Sequence, residues 1–77
     1  MHYELWHVPS GNLVNTFPHE DDALDLVRHT YEAHGRERAE EFALGTEDRR
    51  GRSAQIAIGA DLLARALGHE PLRSARS

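Results

Sequence analysis

The chain has 77 residues, 39% of them hydrophobic and 29% charged, a composition that excludes disordered, collagen-like, coiled-coil and membrane classes and implies one small domain with a thin core. It has no cysteine, so disulfides, thiolate zinc sites and cysteine nucleophiles are excluded, and a reducing cytoplasm is the expected compartment. Net charge is −4, all nine basic residues are arginine, and residues 1–34 set six acids against Arg28 alone, so that half repels nucleic-acid phosphates.

Residues 2–8, His-Tyr-Glu-Leu-Trp-His-Val, are a β-rich run with two aromatics. Pro9-Ser10-Gly11-Asn12 is a turn cluster, and Leu13 to Phe17 is a second apolar run. This spacing predicts a β-hairpin, stopped by Pro18, which has no N–H for the ladder. With Ser10 and Gly11 as a two-residue loop, the cross-strand pairs are Val8–Leu13, Trp6–Asn15 and Glu4–Phe17. One face then carries Trp6, Val8, Leu13 and Phe17. The other carries Tyr3, Leu5, His7, Val14 and Thr16.

Residues 19–34 predict a helix. Glu20, Asp21 and Asp22 crowd its first turn, where carboxylates complement the helix dipole. Ala23, Leu24, Val27 and Tyr31 recur at helical spacing, and Gly35 suits the C-terminal stop. Residues 36–39 read as a polar connection. Residues 40–46 alternate as a strand with Phe42 and Leu44 on one face. Residues 47–52 are a charged tip, and residues 53–58 return as a strand with Ala54, Ile56 and Ile58 on one face. Ala60 to Leu67 predicts a short helix, and 69–77 a flexible tail.

The order β-β-α-β-β-α predicts an α+β domain over residues 1–68, an antiparallel sheet of three or four strands with the long helix on one face. Three strands result if residues 53–67 form one helix broken at Gly59. No apolar run approaches the roughly 20 residues of a membrane span. Residues 1–6 lack the charged and apolar regions of a signal peptide.

Little in the chain carries a recognisable chemistry. Six histidines are present, but His2 and His7, like His29 and His34, are five apart, which splits them between faces of a strand or a helix. Asp25 and His29, four apart on one helix face, could form a metal half-site but read more simply as a surface ion pair. No histidine pair has metal spacing, so the expectation is no metal, no cofactor and no catalytic residue. No serine lies in a nucleophile elbow, and no glycine pattern fits a phosphate loop. Arg49-Arg50-Gly51-Arg52 is the one compact basic feature. It suits an anionic partner or nucleic acid, but reads more simply as a solvated turn partly neutralised by Glu47 and Asp48 beside it.

Tyr3-Glu4-Leu5-Trp6, Gly11-Asn12-Leu13-Val14, Asp22-Ala23-Leu24 and Val27-Arg28 together resemble a set of short bacterial proteins. The similarity extends through Leu44-Gly45, Glu47-Asp48, Gly51 and Ile58-Gly59. No activity attaches to that set, so the resemblance implies no site residues. His19 departs from the Ser or Thr that would cap the helix well.

Both faces of the N-terminal hairpin are rich in apolar residues, more than one covering helix hides. The expected function is therefore a non-catalytic interaction or regulatory module. Its expected partner is itself, as a homodimer, or another protein, through Trp6, Val8, Leu13 and Phe17. The alternatives are a nucleic-acid accessory protein using Arg49, Arg50, Arg52 and the basic tail, which the charge balance disfavours, and a small histidine metalloprotein or enzyme.

Overall fold

Strand β1 (His2–His7) and strand β2 (Asn12–Phe17) form the first hairpin. Helix α1 (Glu20–His34) and the single turn α2 (Arg36–Ala39) come next. Strands β3 (Phe42–Glu47) and β4 (Ser53–Ile58) form the second hairpin, and helix α3 (Gly59–Gly68) closes the order. The computed structural model describes residues 2–68, and the expected tail at 69–77 lies outside them. All four strands lie in one antiparallel sheet in the order β2-β1-β3-β4. The protein is an α+β domain with four strands; residues 53–58 are strand, not helix.

Leu5 of β1 pairs directly with Leu44 of β3 at the centre of the sheet, and both are fully buried. Ala23, Leu24 and Val27 of α1 pack into the same buried cluster, as the helical stripe requires. Leu62, Leu63 and Ala66 of α3 and Ala39 of α2 enter the same cluster, with Tyr31 packed at its margin. Both long helices therefore lie on one side of the sheet. The opposite side has no covering layer among the described residues.

Three expectations need correction. The 36–39 connection contains a helical turn, closed by Glu40 N–H donating to Arg36 O at 2.9 Å. The first hairpin has a four-residue loop, 8–11, and closes at His7–Asn12. Val8 donates its N–H to Glu41 O at 2.8 Å instead of joining β2, and Pro9 has none to give. Val14 is then an extra residue in β2. The observed pairs are Trp6–Leu13, Glu4–Thr16 and Tyr3–Phe17, not Val8–Leu13, Trp6–Asn15 and Glu4–Phe17. Phe17 thus shares a face with Tyr3, and both pack against the core. In β4 the bulge falls at Ile56, between the pairs Leu44–Ala57 and Gly45–Gln55. It separates Ile56, packed on the core, from Ile58, which is exposed opposite Ala43.

Candidate functional site: the uncovered sheet face

Residues paired across antiparallel strands share a face. The pairs Leu13–Trp6, Trp6–Ala43 and Ala43–Ile58 therefore make one apolar row across all four strands. Leu5 and Leu44, next to Trp6 and Ala43, point to the core, so this row points away from it. Trp6, Leu13 and Ile58 are 38%, 43% and 41% exposed. Of the expected interface residues, Trp6 and Leu13 stand in this row. Val8 is exposed just beyond β1, and Phe17 lies on the covered face.

The next row is Thr16, Glu4, Gly45 and Gln55. Gly45 presents no side chain between Trp6 and Glu4. A shallow hollow of about 210 Å³ opens there, bordered by Glu4, Trp6, Ala43, Gly45, Ser53 and Gln55. An added Cβ at Gly45 would stand 3.2 Å from Ala54 O, close enough that β4 would have to give by a few tenths of an ångström.

The row beyond joins His2 to Glu47 and Glu47 to Ser53. His2 Nε2 lies 3.2 Å from Glu47 Oε1 and 3.5 Å from Glu4 Oε2. Their donor atoms all fall within 4.8 Å of one another. The expected absence of a metal rests on spacings between histidines, which do not register this group. Its sequence signal is His2-x-Glu4, two residues on one strand face; Glu47 arrives only through the β1–β3 register.

A second group also escapes the sequence. His7 bridges Ser10 Oγ at 2.8 Å through Nδ1 and Glu41 Oε1 at 3.0 Å through Nε2. The connectivity is that of a nucleophile, a base and an orienting acid. The hydroxyl is nevertheless committed to the turn: it accepts the Asn12 N–H at 3.3 Å and donates to His7 O at 3.4 Å. We read the group as a brace for the hairpin loop.

At the β3–β4 tip, Asp48 Oδ1 accepts the Arg50 and Arg52 N–H groups at 2.8 and 2.9 Å. Gly51 takes φ +80°, which lets the turn close. Asp48 thus serves the backbone and Glu47 faces His2. Among the described residues, the side chains of Arg49, Arg50 and Arg52 are exposed and make no ion pair. Asp25 and His29 are exposed on α1, four residues apart, and His19 stands at its start.

No described helix is long and apolar enough to cross a membrane. Comparison with protein-family models, with curated proteins and with solved structures returned no match.

Proposed function

We propose that the protein is a non-catalytic interaction module of the cytoplasm that self-associates by stacking its uncovered sheet face on that of a second copy. The observation that carries this reading is the exposed row Leu13, Trp6, Ala43 and Ile58 on a face that neither long helix covers. Sheets stack about 10 Å apart when such side chains interdigitate. A two-fold stack makes the same patch serve both partners.

Size sets the strength. Four strands about 4.8 Å apart and six residues long, at about 3.3 Å each, give a face of roughly 400 Å² in projection. Specific interfaces bury about 800 Å² of accessible surface per partner. The face is therefore at the small end, and the dimer dissociates on dilution. Trp6 is the anchor, since tryptophan is enriched where a few residues carry most of the binding energy.

Sedimentation of the wild type from micromolar to millimolar concentration tests this. The expected result is a monomer–dimer equilibrium that Trp6→Ala abolishes while the variant stays folded. A wild type that remains monomeric throughout, or a Trp6→Ala chain that dimerises equally well, overturns it.

A second reading has its own observation, the three exposed arginine side chains at the β3–β4 tip, which make no ion pair among the described residues. They suit an anionic partner, including nucleic acid. Binding to duplex DNA that weakens steeply with salt, and weakens further in an Arg49→Ala, Arg50→Ala, Arg52→Ala variant, would favour it.

A further inference from the structure

We propose that His2, Glu4 and Glu47 form a site for a divalent transition metal of the zinc class, at the end of the uncovered face away from the apolar row. Two atoms bound to one zinc at about 2.0–2.2 Å in tetrahedral geometry stand roughly 3.3–3.5 Å apart. The distances from His2 Nε2 to the two carboxylates, 3.2 and 3.5 Å, match that spacing before any ion is present. The donor atoms of Glu4 and Glu47 lie within 4.8 Å of each other, the pair that an ion would draw together.

The backbone holds the donors in place. His2 and Glu4 are two residues apart on β1, so they share a face. Glu47 is the direct partner of His2 on β3. Thr46 Oγ1 donates to His2 O at 2.9 Å and fastens the strand end. The site is thus built across a ladder between two central strands, and not on a loop.

Charge points the same way. His2 is the one ion-pair partner of Glu4 and Glu47 among the described residues. With the imidazole neutral, as ligation requires, the set carries two negative charges that a divalent cation offsets. An imidazole with two carboxylates suits zinc or its neighbours, whereas calcium and magnesium take oxygen donors. Three protein donors leave a fourth position for water, and the site borders the hollow beside Gly45 through Glu4. Trp6 of the apolar row lies four residues from His2 along β1, about 13 Å, and two from Glu4, and no residue of the row is a ligand, so the proposal does not rest on self-association.

Calorimetric titration of the untagged, chelator-stripped full chain with zinc chloride tests the site. The expected result is one zinc per chain, with affinity lowered about tenfold or more in His2→Ala, Glu4→Gln and Glu47→Gln, since even outer-shell changes cost 10–100-fold. His29→Ala, outside the cluster, should bind as the wild type does. Circular dichroism checks that each variant is folded, and either Glu variant suffices if the other is not. No stoichiometric zinc overturns the proposal. So does undiminished affinity in Glu47→Gln, which would place the ion on His2 and its sequence neighbours without the cross-strand partner. An equal loss in His29→Ala would overturn it as well, by showing scattered surface binding.

Discussion

Arg65 Nε donates to Glu20 Oε2 at 2.5 Å and ties α3 to the first turn of α1. The hydrogen bond to Glu20, and then its charge, raise the pKa of Arg65 above a value that already keeps arginine cationic. Both side chains still meet solvent, being 49% and 26% exposed. Exposed pairs of this kind contribute about 0.2–1 kcal/mol. Arg65→Met is expected to lower stability by no more than about 1 kcal/mol in urea titration. The difference from wild type should shrink at 1 M salt, where the screening length falls to about 3 Å. A larger, salt-independent loss would mean that the arginine stem packs the two helices together.

Leu24→Ala and Leu5→Ala should each cost about 2–5 kcal/mol, because both side chains lie in the shared core. That is a large share of the 5–15 kcal/mol that a domain commands. Asp25→Ala, at an exposed neighbour on α1, is expected to change stability by less than about 0.5 kcal/mol. Thermal unfolding of the three variants side by side separates the buried face of α1 from the wet one. Equal shifts would contradict the packing.

His19 occupies the N-cap of α1 in extended conformation, φ −131° and ψ 144°, and its side chain makes no capping hydrogen bond. A serine there has a hydroxyl placed to accept an N–H of the first turn. His19→Ser is expected to stabilise the protein by about 0.5–1 kcal/mol. A denaturation midpoint at or below that of the wild type would argue against a vacant cap.

Gly59 turns β4 directly into α3 with φ +61°. An added Cβ would meet Glu40 O at 3.6 Å, an ordinary contact, so the cost of Gly59→Ala is conformational. It should be about 1–2 kcal/mol, the penalty for a side chain in the left-handed region. Equilibrium unfolding measures it, and a neutral result would show that the strand-to-helix turn can relax.

Asp48→Ala removes the acceptor of two backbone N–H groups at the β3–β4 tip. A loss of about 1 kcal/mol is expected, while Arg49→Ala, at an exposed side chain, should be neutral. Faster amide exchange at Arg50 and Arg52 in the Asp48 variant would locate the damage at the turn.

Much of this architecture can be read from the chain. The stripe Ala23, Leu24, Val27 and Tyr31 faces the core as its spacing implies, and Phe42 and Leu44 alternate onto the same side. Two kinds of information are missing from periodicity. The bulges at Val14 and Ile56 depend on which residues the partner strand presents, and each flips the facing of every residue beyond it in the strand. A helical stripe also names the buried face of α3 without naming the side of the sheet that receives it. That choice leaves Trp6 and Ile58 exposed. The cluster at His2 is half legible: Glu4 can be placed by strand spacing, and Glu47 needs the register of a strand 44 residues further on, where Thr46 meets His2.

The same β1–β3 ladder governs the timing of folding. Strand β1 lies inside the sheet, and its inner neighbour β3 is made some forty residues later. A two-stranded hairpin alone is marginal in water, so β1 and β2 depend on packing against α1 and then on β3 for lasting structure. Closing that long loop costs chain entropy before any contact repays it. On the ribosome, the core around Leu5 and Leu24 therefore stays incomplete until Leu44 has emerged. The nascent chain is most prone to aggregate over that interval, and refolding from denaturant should take milliseconds where a bundle of local helices needs microseconds.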